Sequence, residues 1–121
     1  PDEFSRSVEI QRFPLIKALE RVAVLADQHN NVVKLTVESE LLTITADVQD
    51  VGSGSESIPI LFKGESIQIA FNVRYVLDGL KAIDSDTILL QFNLATTPAI
   101  ITPFNSKSDF TYLVMPVQIR S

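Results

Sequence analysis

The only imidazole in the 121 residues is His29, and it is the natural first place to look for acid–base chemistry. It sits in Asp27-Gln28-His29-Asn30-Asn31, just after a helix-like stretch. A cation there is favoured by the helix macrodipole, and no serine or carboxylate motif marks it as a base. Cysteine is absent, so disulfides are excluded and a zinc site lacks its ligands. Gly52-Ser53-Gly54-Ser55 has the composition of a phosphate cradle. No helix pattern follows it and no Gly-Lys-Ser/Thr ending closes it, so it reads as a flexible turn. Asp84-Ser85-Asp86 offers two carboxylates but lies in a helix-to-strand connection, where Asp and Ser are common turn formers. Asp47 and Asp50 are too isolated to define a metal or acid–base pair. An enzyme has no residues to rest on here, and no metal or cofactor is expected.

What remains is the chemistry of charge and of apolar surface. The net charge is −5, which taken alone argues against nucleic acid. Its distribution says otherwise: the outward faces of two helical stretches carry Lys17, Arg21, Arg74 and Lys81 against only Glu20 and Asp78. The plainer reading is a pair of solvated faces with ordinary i,i+4 pairs such as Arg74 and Asp78. The sharper reading holds if the two helices lie side by side. Four converging cations would then suffice for weak, sequence-indifferent contact with phosphates.

Three apolar features do not fit a quiet surface. Val24 falls on the polar side of its helix with Leu25 beside it, either tolerated or covering an interface. Tyr75 lies off the main apolar stripe near Gly79 and Ala82, where a ring is either simply packed or forms the wall of a groove. The tail Tyr112-Leu113-Val114-Met115-Pro116-Val117-Gln118-Ile119 is apolar almost throughout. A fully buried last strand accounts for Tyr112 to Val114, but Pro116 cannot donate to a ladder and should end it. The Met- and Pro-bearing edge beyond is suited to docking a short peptide.

These residues need elements to hold them. Ile67, Ile69 and Phe71 alternate with Gln68 and Ala70 at the period of a half-buried strand. At Asn72 the period changes: Val73, Val76, Leu77, Leu80 and Ile83 make one helix face, with Asn72 as the N-cap. Earlier, residues 8–13 read as a strand and Pro14 as the first helical residue. Leu15, Ala18, Leu19, Val22 and Ala26 form the stripe of a helix reaching Asp27. Strand-like runs follow each helix, at Val32–Val37, Leu41–Val48 and 57–61, then at 87–94, 99–102 and 110–115. The chain is β-α-β-β-β written twice, at a spacing of about sixty residues. The expected fold class is α+β, with two helices packed on antiparallel sheets around one shared core.

The length and the 45% apolar content suit a single domain that needs no staples. No apolar run approaches membrane-spanning length, and the acidic start Pro1-Asp2-Glu3-Phe4 is unlike a signal peptide. With no initiator Met, the chain is expected to be a fragment or a processed product, and cytoplasmic by default.

The run Ile69-Ala70-Phe71-Asn72-Val73-Arg74-Tyr75-Val76-Leu77-Asp78-Gly79-Leu80, followed by Tyr112-Leu113-Val114-Met115-Pro116-Val117, resembles the carboxy-terminal domain of bacterial β sliding clamps. Those clamps are the processivity subunit of the replicative DNA polymerase III. The resemblance covers essentially the whole chain, and the ending Val117-Gln118-Ile119-Arg120-Ser121 has a cyanobacterial cast. It implies a DNA-clamp fold, with residues 1–121 as a single domain, the third of a three-domain chain. It implies a non-catalytic role in a homodimeric ring closed around duplex DNA, with helices lining the hole. Lys17, Arg21, Arg74 and Lys81 would then face DNA phosphates across water, in a sliding rather than a specific contact. Asn72, Tyr75, Thr96, Pro98, Leu113, Val114, Met115, Pro116 and Val117 would bind short, hydrophobic-ended peptides. Their sources would be the polymerase III alpha subunit, the clamp loader, repair polymerases and ligase. Val24 and Leu25 would meet the first domain of the other subunit. The acidic strand that often accompanies that contact corresponds to residues 47–56, here diluted by Gly and Ser. The alternative from a different class is a stand-alone peptide-binding adaptor without a DNA role.

Overall fold

At two places a strand runs into a helix without a loop, and these junctions organise the molecule. The computed structural model describes residues 4–27, 30–48, 52–105 and 109–118. Along them run β1 (Arg6–Gln11), α1 (Arg12–Ala26), β2 (Val32–Val37), β3 (Leu41–Val48), β4 (Gly52–Pro59), β5 (Leu61–Phe62), β6 (Ile67–Asn72), α2 (Val73–Ala82), β7 (Thr87–Phe92), β8 (Ala99–Pro103) and β9 (Tyr112–Val114). At the second junction Asn72 stays extended, and its Oδ1 accepts from the Arg74 amide at 2.9 Å. That satisfies one orphan donor of the first turn. The first junction departs from expectation, because α1 begins at Arg12 and the Gln11 side chain caps no helix amide, its Nε2 donating instead to the Thr87 hydroxyl at 3.2 Å. Pro14 still falls in the first turn, where its missing N–H leaves no bond unmade. A long-range bond sets the start instead: the Arg12 amide donates to the Asp86 carbonyl at 2.8 Å. The other half repeats it, with the Val73 amide donating to the Asn31 carbonyl at 2.7 Å.

The two β-α-β-β-β halves exchange strands. One sheet runs β5-β1-β7-β8-β9 and the other β4-β3-β2-β6, with antiparallel neighbours throughout. Thus β1 joins the strands that follow α2, with Val8 opposite Leu90, and β6 joins those that follow α1, with Leu35 opposite Ile69. Each half then sends a tail to the other sheet. β5 adds to β1 with Phe62 opposite Val8, while Val117 bridges Ala70, its amide donating to the Ala70 carbonyl at 2.7 Å. The expected α+β duplication is therefore present, built so that neither half owns a sheet.

Between the sheets and helices lies one apolar core. Val33, Leu35 and Val37 point into it from β2, Leu15, Leu19 and Val22 from α1, and Val76, Leu77 and Leu80 from α2. Phe71 and Phe92 are enclosed in it, and no polar or charged residue among those described is buried. The helices lie side by side and antiparallel. Arg74 at the start of α2 pairs with Asp27 after the end of α1, and Lys81 near the end of α2 pairs with Glu20 in mid-α1. Arg12 closes the far end, donating to the Leu80 carbonyl at 3.0 Å and the Ser85 carbonyl at 2.8 Å.

Several strand boundaries differ from the sequence reading. Residues 52–55, expected as a flexible turn, open β4, which pairs with β3 from Val48↔Gly52 to Leu41↔Pro59. Gly and Ser have poor strand propensity, and the continuous ladder with β3 overrides it. The run expected at 57–61 divides at Ile60, into β4 and β5. β7 stops at Phe92 rather than residue 94, because the Leu94 amide turns to the Thr97 hydroxyl at 3.0 Å. The last strand spans only Tyr112–Val114, ending ahead of Pro116.

Candidate functional site

In β9 the side chains alternate: Tyr112 is half-buried, Leu113 is exposed and Val114 is buried. Val114, a pocket position by the family resemblance and a buried strand residue by its pattern, is 3% exposed and packs in the core. The wholly buried strand expected for Tyr112 to Val114 is thus a strand with one wet face. Beyond it Met115 is 56% exposed, and Pro116 and Val117 are half-buried. The lip they form is held at both ends, by the β8 pairing Ala99↔Val114 and by the Val117 bridge to Ala70. The same register sets Pro98, half-buried just before β8, beside the departure of Met115, with exposed Thr96 in the preceding turn.

The other wall comes from the β6–α2 junction. Asn72 is half-buried, and its Oδ1 is used by the cap. Tyr75 is 60% exposed on the first turn of α2. Two residues that sequence reasoning did not assign fasten β9 to this helix. The Tyr112 hydroxyl donates to the Tyr75 carbonyl at 2.8 Å. Its ring lies over Gly79, where an added Cβ would come within 2.2 Å of Tyr112 Cδ2. Burial, then the nearby Asp78 carboxylate and Tyr75, push the Tyr112 phenol above its ordinary pKa, which keeps it a donor. A glycine inside an amphipathic helix was the available signal, since it costs about 1 kcal/mol there unless something needs the space. The result is an apolar, partly wet surface with Tyr75, Leu113 and Met115 exposed on it.

The cations occupy the helix layer. Lys17, Arg21, Arg74 and Lys81 are all exposed, and each has an acidic partner. Glu20 takes two of them, Lys17 at 3.5 Å and Lys81 at 3.3 Å. Arg21 pairs with Glu56 of β4 at 2.7 Å. Arg74 pairs with Asp27 rather than with Asp78, the i,i+4 partner expected from spacing. The Lys17 ammonium also lies 5.2 Å from the centre of the exposed Phe13 ring. The Lys81 hydrogen bond, helped by the charges of both lysines and the Lys17 bond, outweighs the burial cost and holds the Glu20 carboxyl below its ordinary pKa.

At the remaining edge Val24 is 70% exposed, and Leu25 packs partly on the core. A Cβ on Gly54 would lie 3.5 Å from Leu25 Cδ2, so β4 passes close under this pair. β4 is the last strand of its sheet. His29 and Asp50 lie outside the described residues. The Asp84–Ser85–Asp86 stretch is a turn, with the Ser85 hydroxyl donating to the Thr87 carbonyl at 2.7 Å. Among the described residues no group of three or more His, Asp or Glu is placed to hold a metal ion.

Known proteins share this fold. Residues 1–118 match the family model described as DNA polymerase III beta subunit, C-terminal domain. The chain is 48% identical to the beta sliding clamp of Synechococcus elongatus over 123 aligned residues, covering 100% of this chain and 32% of that protein. It is 47% identical to the beta sliding clamp of Synechocystis, over 98% of this chain and 31% of that protein. The crystal structure of the DNA polymerase III beta subunit from Thermotoga maritima superposes with a TM-score of 0.94 at 29% identity, covering 99% of this chain and 32% of that one. The chain thus spans about a third of the length of these relatives, and the two cyanobacterial relatives fit the cast of its last residues. By sequence and by fold, the chain belongs to the family of C-terminal domains of DNA polymerase III beta subunits.

Proposed function

We propose that this chain acts as the C-terminal third of a cytoplasmic, ring-shaped sliding clamp. The ring is a non-catalytic processivity factor, a homodimer closed around duplex DNA, and it tethers a replicative polymerase by topology. The α1–α2 layer faces the duplex, with Lys17, Arg21, Arg74 and Lys81 making sequence-indifferent contact with phosphates. Val24 and Leu25 meet the other subunit beside the free edge of β4. The lip at Met115–Pro116–Val117, with Asn72, Tyr75, Thr96, Pro98 and Leu113, receives short apolar-ended peptides from the polymerase alpha subunit, the clamp loader, repair polymerases and ligase. Val114 supports that lip from the core side.

The observation that carries this reading is the division of surfaces. The cations lie on the paired helices, while exposed Tyr75, Leu113 and Met115 are tied together through Tyr112 at the β9 edge. No helix of the described residues is long and apolar enough to cross a membrane. The test is a titration with a peptide ending in Leu-Phe. It should bind, and Tyr75→Ala or Met115→Ala should each weaken binding by about 1–3 kcal/mol, as expected for a buried anchor. Unchanged affinity in both variants would remove the peptide site.

A further inference from the structure

We propose that Glu20 sets how weakly the helix face holds DNA, by occupying Lys17 and Lys81 as a competing anion. This rests on the reading in which that face meets the duplex. Glu20 Oε1 lies 3.5 Å from Lys17 Nζ on its own helix, and Oε2 lies 3.3 Å from Lys81 Nζ on the neighbouring one. Among the described ion pairs it is the one carboxylate that takes cations from both helices. Arg21 and Arg74 are engaged separately, by Glu56 and Asp27. The remaining charged group on the outer face of α2 is Asp78, a further anion.

Exposed pairs of this kind add little to stability, so a stabilising role does not account for the bridge. Its electrostatic consequence is larger. A lysine that meets a phosphate ordinarily releases counterions condensed on the DNA, which drives binding and makes it steep in salt. Here a phosphate that approaches Lys17 or Lys81 competes with a carboxylate already in place and is repelled by it. The contact becomes an exchange between two anions, shallow in energy at each position along the backbone. A ring that must move along DNA, rather than rest on it, gains from such a contact.

Glu20→Gln keeps the shape and removes the charge. The experiment titrates a 20-base-pair duplex at low ionic strength into the 121-residue chain, following the backbone amides of α1 and α2 by NMR. The same spectra report whether each variant is folded. The unaltered chain should show weak, fast-exchanging shifts on both helices. Glu20→Gln should bind about 3–10-fold tighter, with a salt slope steeper by about one. Glu40→Gln, on the β2–β3 turn, removes the same unit of charge elsewhere and should change affinity little. Equal gains in the two variants, or no gain in Glu20→Gln, would overturn the proposal. The double variant Lys17→Ala/Lys81→Ala separates the two ideas. If it weakens binding while Glu20→Gln behaves as wild type, only the role of Glu20 falls. If it binds as wild type, or if no chain shifts at all, the DNA-facing reading falls and the proposal with it.

Discussion

At Gly79 the Tyr112 ring occupies the space a side chain would need, so an aromatic residue of β9 is seated on the backbone of α2. The hydroxyl of the same ring holds the Tyr75 carbonyl, one turn earlier. Tyr112 is therefore a positioning residue for Tyr75 rather than a contact of its own. Removing the hydroxyl alone, in Tyr112→Phe, should cost about 0.5–1.5 kcal/mol in urea denaturation, the usual net value of one hydrogen bond. The pH dependence has a definite sign. The phenol is raised in the folded state, so the folded protein holds that proton longer than the unfolded chain does. The stability it confers is complete below the ordinary tyrosine pKa and is lost as pH rises from there through the higher folded value. Melting curves taken across the alkaline range should fall for the parent and flatten for Tyr112→Phe. An identical slope in both would show that the phenol does not titrate differently on folding. Tyr75 and Met115 are legible in the sequence because each breaks an apolar pattern, whereas Tyr112 fits its strand and gives no such signal.

The elements follow from period and capping wherever the signal is local. Asn72 is the clearest case, since a strand period, a cap residue and a helix period meet at one position. Because its Oδ1 serves the helix, Asn72→Ala should destabilise the fold by about 1 kcal/mol through loss of the cap. The same change should weaken peptide binding at the lip, since the first turn of α2 carries Tyr75. Full stability in that variant, read by thermal unfolding, would mean that the packing of α2 outweighs its cap. The start of α1 lies ahead of the Pro14 that local pattern selects, for the complementary reason: its end is set by bonds to Asp86, Ser85 and Leu80, all far away in sequence. The opening of β4 is illegible locally because its Gly and Ser residues argue against a strand, and only eight successive partners in β3 make it one.

For the whole molecule, the exchange of β1 and β6 between halves means that neither repeat encloses a core by itself. The two halves should therefore unfold together. Among the described residues, the apolar surface left at the β4 edge is small, Val24 with part of Leu25, against the roughly 1,200–2,000 Å² buried by stable interfaces. The 121-residue chain should accordingly sediment as a monomer at micromolar concentration. A stable homodimer would show that this edge pairs with itself.

Apolar period, helix caps and turn residues are properties of neighbours along the chain. They were enough for the duplicated α+β plan and the apolar ending. Pairing over distance is another matter. Arg74 chose Asp27, 47 residues away, over Asp78 four residues on, because the antiparallel helices bring Asp27 to the first turn of α2. Val114 turned inward because β8 fixes its register, and Tyr112 reached Gly79 because β9 crosses α2. Those partners lie far apart along the chain, so no local pattern could name them, and packing around the shared core selected them.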